Sequence, residues 1–127
     1  MNLFIFGNPA LSIDDLAIKV AQQLEPIFPK IHFIFCESLT DILVIDEQEL
    51  IILDVAQGIQ KPAILHNLDD LETNHLTSLH DFDIAYFLKL LKSVDRIKKV
   101  TILALPQEYP QEKAKQWVQE QLKKLSQ

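Results

Sequence analysis

Short apolar runs recur along the chain and set out its architecture. They are rich in Ile, Leu, Val and Phe, and near-continuous hydrophobicity over so short a length is typical of strands buried on both faces. The pattern predicts five strands: Asn2–Phe6, Ile31–Phe35, Leu50–Val55, Ala63–Leu65 and Val100–Leu105.

The segment between the first two predicted strands has the apolar spacing of a helix. One apolar face is formed by Leu16, Ala17, Val20, Ala21 and Leu24. Ser12 stands three residues before Asp15, a spacing that resembles a capping box, and the helix is predicted to start there with Asp14 and Asp15 in its first turn. Pro26 and Pro29 are predicted to end it.

Two later segments also repeat apolar residues at helical spacing: Ile84, Phe87, Leu88 and Leu91 in one, and Ala114, Trp117, Val118, Leu122 and Leu125 in the other. Pro110 stands where the first turn of the second segment would be. Residues 38–45 fit a short helix or an edge strand equally well.

Strands that alternate with helices predict an α/β protein with a mainly parallel sheet covered on both sides. In such sheets the ligand site usually lies beyond the carboxyl ends of the strands. The chain shows no internal repeat and no linker, so one domain is expected over residues 1–127.

Composition and charge narrow the function classes. Hydrophobic residues make up 48% of the 127 positions, charged residues 24%, and the net charge is −6. Residues 1–84 hold 14 acidic against 3 basic side chains, which argues against a nucleic-acid groove. No apolar run is long enough to span a membrane, and no signal peptide is predicted. The single cysteine, Cys36, suits a reducing compartment. We therefore expect a cytoplasmic monomer.

Acidic residues follow the first predicted strand and lie at the end of the third. Gly7-Asn8-Pro9 comes directly after the first strand, and the pair Asp14-Asp15 follows. Stabilisation of a helix start by the carboxylates is the simpler interpretation of this pair. Asp54 ends a strongly apolar run, and a carboxylate there needs a cation, a donor or water. Its alternatives to a ligand role are capping a nearby helix and reaching solvent.

His80 stands just before the predicted helix that carries Ile84, with Asp81 beside it. A surface loop is the simpler interpretation, but a metal-binding histidine commonly needs an acceptor such as Asp81 for its second ring nitrogen. Two carboxylates and one imidazole, from Asp15, Asp54 and His80, would suit a borderline divalent metal.

The remaining cysteine and histidine residues are weaker candidates for catalytic or metal-binding roles. A nucleophilic Cys36 needs a nearby base, and His32 lies too far along the same strand to pair with it, so inert packing is the better interpretation. His66 and His75 lie near further acids and fit surface loops better than a second metal spot.

These segments, taken in order, resemble the hydrogenase maturation endopeptidases, which trim the C-terminus of the nickel–iron hydrogenase large subunit. The matching segments are Phe4-Ile5-Phe6-Gly7-Asn8-Pro9, Asp14-Asp15, Leu50-Ile51-Ile52-Leu53-Asp54, Thr77-Ser78-Leu79-His80-Asp81 and Val100-Thr101-Ile102-Leu103-Ala104-Leu105-Pro106. The resemblance implies a three-layer α/β/α sandwich on a twisted five-stranded sheet.

The same resemblance implies that Asp15, Asp54 and His80 are the metal ligands and catalytic residues, with Asn8, Asp14 and Asp81 in the surrounding loops. The implied metal is nickel supplied by the large-subunit precursor, and zinc and cadmium are expected to substitute for it. A metal shared between the two proteins can orient the precursor, polarise the scissile carbonyl and activate water.

Several glycines typical of the family are missing here, for example after the acidic pair, where Leu16 and Ala17 follow. This departure motivates an alternative, a non-catalytic binding or chaperone module on the same fold. A nucleotide-binding domain is disfavoured, because Gly7 alone cannot cradle a pyrophosphate.

Overall fold

The computed structural model describes residues 1–6, 15–36, 49–57, 59–66, 77–78 and 99–126. Their elements are β1 (Asn2–Phe6), α1 (Leu16–Leu24), a 3₁₀ helix (Glu25–Ile27), β2 (His32–Cys36), β3 (Glu49–Gln57), β4 (Ala63–Leu65), β5 (Thr77–Ser78), β6 (Lys99–Pro106) and α2 (Gln111–Leu125). All five strands predicted from the apolar runs are present. The very short β5 was not predicted.

The strands form one sheet in the order β2-β1-β3-β6-β4, with β5 paired to β3 off this path. The β1–β2, β1–β3 and β3–β6 pairs are parallel. The β4–β6 and β3–β5 pairs are antiparallel. Parallel neighbours need a crossover, which α1 provides between β1 and β2. The predicted α/β class with a mostly parallel sheet is therefore confirmed.

Each face of the sheet carries its own apolar cluster, because strand residues alternate between faces. One cluster unites α1 and α2 with the odd-numbered strand positions, among them Leu3, Ile5, Leu53 and Leu103. The other uses even-numbered positions, among them Phe4, Ile52 and Ile102. Both described helices thus cover the same face. The helix predicted around Ile84–Leu91 and the undecided segment 38–45 lie outside the described residues.

The helix starts differ from the predicted ones. α1 begins at Leu16, so Asp15 is its N-cap residue, and the prediction of a start at Ser12 with the acidic pair in the first turn is wrong. α1 ends at Leu24, just before Pro26, as predicted. Pro110 is the N-cap residue of α2 rather than part of its first turn.

The predicted stripe of α2 faces the core. Ala114, Val118 and Leu122 are fully buried, while Trp117 and Leu125 pack against the same cluster partly buried. Gln121 is buried as well, which apolar periodicity did not indicate. No helix within the described residues has the length and apolar character needed to cross a membrane.

Candidate functional site

The carboxyl ends of β1, β3 and β6 lie at one edge of the sheet, because these strands run parallel. Ile5 pairs with Leu53, so Phe6, the last residue of β1, is level with Asp54. On the other side of β3, Asp54 pairs with Ala104. The sheet therefore brings Asp54 to the point where β1 ends.

Asp54 is almost completely buried, with 3% of its surface exposed. Its Oδ1 atom accepts a hydrogen bond of 2.8 Å from the backbone N–H of Val55. Exposure to solvent, one alternative to a ligand role, is thus excluded. β3 continues to Gln57, so the prediction that Asp54 ends its strand is wrong. The carboxylate lies inside β3 but beside the end of its neighbour β1.

The unpredicted strand β5 lies next to this point. Its residues Ser78 and Thr77 pair with Ala56 and Gln57 of β3. Because β6 occupies the other side of β3 as far as Ala56, β5 must lie on the side of β1, beyond its last residue. A strand of two residues gives no period-two signal, which explains why the sequence did not reveal it.

Asp15 lies at the N-terminus of α1, and its side chain is 15% exposed. Its Oδ2 atom forms an ion pair of 3.1 Å with Nζ of Lys19, one helical turn further along. Asp15 makes no side-chain capping hydrogen bond, although aspartate at this position usually accepts one from the first turn. Its position at the N-cap nevertheless agrees with the simpler interpretation, in which the carboxylate stabilises the start of the helix through the helix dipole.

The two described carboxylates come from different layers of the fold. Alternation along β3 puts Asp54 on the face that carries Ile52 and Ala56. Asp15 precedes α1, which packs on the opposite face. Two such groups can meet only where no strand separates the faces. Among the described strands, β1 ends at Phe6, level with Asp54, and β5 pairs with β3 from Ala56 onward.

The remaining candidates, His80, Asp14, Asn8 and Asp81, lie outside the described residues, as does His75. Within the described ranges no group of three His, Cys, Asp or Glu side chains is arranged to hold a metal. A site of three ligands thus depends on adding His80 to the two aspartates.

Cys36 belongs to a core cluster and is 3% exposed. Its Sγ atom lies 3.7 Å from the carbonyl oxygen of Ile34. Burial within an apolar cluster agrees with the packing interpretation of this thiol. His32, at the other end of β2, is exposed.

A cavity of about 760 Å³ opens at the opposite edge of the sheet, where the strands begin. Met1, Ile31, Glu49 and Ser126 are among its lining residues. It is lined by neither Asp15 nor Asp54. This cavity and the two candidate carboxylates therefore lie at different ends of the described part of the chain.

The sheet and its helices define an α/β protein, a class in which ligands commonly bind beyond the carboxyl ends of the strands. The sequence profile of the family HycI, described as hydrogenase maturation protease, matches residues 35–127, well over half of the chain. The chain belongs to the hydrogenase maturation protease family. The match includes Asp54 and His80 and begins after Asp15.

Solved structures agree with this assignment at the level of the fold. The crystal structure of the hydrogenase 3 maturation protease is 20% identical, with a TM-score of 0.65 over 93% of this chain and 86% of that one. The solution structure of the endopeptidase HycI from Escherichia coli is 18% identical, with a TM-score of 0.66 over 100% and 92%.

An uncharacterized protein from Wolinella succinogenes is 13% identical and reaches a TM-score of 0.62 over 98% of this chain and 95% of that one. A search of curated protein sequences gave no match. At these identities the structural likeness establishes a shared fold, and the family assignment comes from the sequence profile.

Proposed function

We propose that this chain is an endopeptidase that removes a C-terminal extension from a nickel-loaded precursor of a nickel–iron hydrogenase large subunit. Membership of the hydrogenase maturation protease family supports the reaction class. The similar folds of an endopeptidase and of a hydrogenase 3 maturation protease point the same way. The observation that carries the proposal for the site is the buried carboxylate of Asp54 at the carboxyl edge of the sheet.

Burial of a carboxylate inside a strand is costly unless the charge is paired or hydrogen-bonded. The N–H of Val55 donates a hydrogen bond to one oxygen of Asp54. Leu53 and Val55, its neighbours in β3, are fully buried and apolar. A role as ligand to a cation gives a reason for an acid in this place.

The proposal needs His80 to approach Asp54, and the position of β5 supports this. Ser78 pairs with Ala56, two residues beyond Asp54 in β3. His80 follows Ser78 by two residues, which span at most about 7 Å of chain. The covalent link therefore ties His80 to the part of β3 that carries the buried acid.

The proposed ligands are two carboxylates and one imidazole, a donor set that suits nickel, zinc and cadmium. An ion held by these residues would supply Lewis-acid chemistry for polarising the scissile carbonyl and activating a water molecule. Asp15, Asp54 and His80 hold the ion and so orient the precursor. Asp81 accepts from the second ring nitrogen of His80, as metal-binding histidines commonly require.

Asp14 and Asn8 complete the loops around the proposed site, where Asp14 positions the attacking water. A precursor without nickel lacks the ion that links the two proteins, so it is rejected. In this proposal the chain works in the cytoplasm as a monomer on the folded precursor.

The test is incubation of the purified chain with nickel-loaded and nickel-free precursor, followed by mass spectrometry of the large subunit. We expect a mass loss only with the loaded precursor, abolished by Asp15→Asn, Asp54→Asn and His80→Ala. Glu49→Gln is the matched control, because Glu49 is a carboxylate paired with Lys99 where β3 begins. It should leave cleavage unchanged.

Two outcomes would contradict the proposal. Cleavage by all three variants would remove Asp15, Asp54 and His80 from the site. Binding of the precursor without any cleavage by the unaltered chain would instead favour the non-catalytic binding or chaperone module.

A further inference from the structure

The ion pair between Asp15 and Lys19 occupies a carboxylate that the proposed function needs for the metal. Nζ of Lys19 lies 3.1 Å from Oδ2 of Asp15. Lys19 is 51% exposed, whereas Asp15 is 15% exposed, so solvent reaches the pair mainly from the side of the lysine. The acid is thus the more buried partner of the pair, and the lysine is the more exposed one.

Helix capping does not explain this arrangement. An N-cap aspartate usually accepts a hydrogen bond from a backbone N–H of the first turn, and Asp15 makes no such bond. Its backbone, with φ −103° and ψ −2°, also lies outside the extended region typical of N-cap residues. An exposed pair at this helical spacing stabilises a helix only slightly. The ion pair with Lys19, and not a capping bond, is thus the interaction that the structure gives this carboxylate.

We propose that Lys19 is a positioning residue that competes with the metal for Asp15, an inference that rests on the proposed function. It holds the carboxylate in the metal-free protein and must release it before an ion can be coordinated. Its positive charge also repels a divalent cation at the same oxygen. Lys19 thereby lowers the affinity of the free chain for divalent ions.

This competition bears on how the precursor is selected. An ion delivered by the precursor is held by ligands from both proteins, and those added contacts offset the cost of displacing Lys19 from Asp15. A free ion in solution brings no such contacts. The lysine therefore favours the loaded precursor over stray metal, which is a way of gaining specificity by disfavouring the wrong ligand.

Isothermal titration of the chain alone with NiCl₂ and with CdCl₂ tests the proposal without any cleavage assay. Lys19→Met should bind each ion roughly two- to tenfold more tightly, the change expected from one partly exposed charge near the ion. Lys19→Arg keeps the charge and should bind like the unaltered chain. In 1 M KCl the gain of Lys19→Met should shrink, because salt screens the lysine.

Lys99→Met is the matched control. Lys99 also pairs with an acid, Glu49 at 3.7 Å, but where β3 and β6 begin. Its replacement should leave the affinity for both ions unchanged.

An affinity of Lys19→Met equal to or below that of the unaltered chain would overturn the proposal. So would a gain that persists when Asp15→Asn is added, because the ion would then bind elsewhere. The outcome is separable from that of the proposed function. A chain that fails to shorten the loaded precursor, yet gains affinity on Lys19→Met, contradicts the peptidase and supports the competition at Asp15. Cleavage of the loaded precursor, with no gain in metal affinity on Lys19→Met, supports the peptidase and contradicts the competition at Asp15.

Discussion

The buried carboxylate of Asp54 leads to a prediction that separates its charge from its hydrogen bond. Asp54→Asn removes the charge but keeps Oδ1 as an acceptor for the N–H of Val55. Asp54→Ala removes both and leaves that buried N–H without this acceptor. A buried donor left unsatisfied costs about 1–3 kcal/mol.

This loss in the free energy of unfolding corresponds to a lower melting temperature. An unfolding entropy of roughly 2.1 cal/mol/K per residue, applied to 127 residues, turns 1–3 kcal/mol into a loss of about 4–11 °C for Asp54→Ala. For Asp54→Asn we expect a free energy of unfolding within about 1 kcal/mol of the unaltered chain, because lost charge interactions and the relief of burying a charge oppose each other.

Urea titration and differential scanning calorimetry of the metal-free protein, at one pH and salt concentration, measure both changes. Both variants should be inactive on the precursor, although only the alanine variant is clearly destabilised. Equal stability of Asp54→Ala and Asp54→Asn would refute the reasoning, since the Val55 hydrogen bond would then contribute nothing.

Two further predictions concern the frame around the site. Glu108, after β6, has φ 57°, which is unfavourable for a residue with a Cβ. Glu108→Gly should therefore raise the free energy of unfolding, measured by urea titration, by about 0.5–1 kcal/mol. An unchanged or lower free energy of unfolding would contradict backbone strain at this residue. Leu122 in α2 is fully buried. Leu122→Ala should lower the free energy of unfolding by about 2–5 kcal/mol in the same measurement. A decrease below about 1 kcal/mol would contradict tight packing of α2 on the sheet.

The sequence predicted the strands well, because apolar runs buried on both faces are distinctive. It predicted less well where tertiary contacts decide. The antiparallel β4 has the same composition as the parallel strands, and its direction depends only on how it pairs with β6. β5 pairs with the part of β3 that extends past the last residue of β1, and no local sequence pattern indicates this pairing.

The candidate site was predictable in type but not in detail. Asp54 was found because a carboxylate after four apolar residues is anomalous, and its burial agrees with that signal. The pairing of Asp15 with Lys19 follows from their helical spacing and could have been predicted. The position of Asp54 level with Phe6 could not, since it depends on where two distant strands come into register.

The most direct test of the central claim is the position of one ion. Anomalous diffraction from a crystal soaked in CdCl₂ locates cadmium without reference to activity. The account predicts a single ion bonded to a carboxylate oxygen of Asp15, a carboxylate oxygen of Asp54 and a ring nitrogen of His80. Cadmium bound elsewhere, with the two aspartates and His80 too far apart to share any ion, would contradict it.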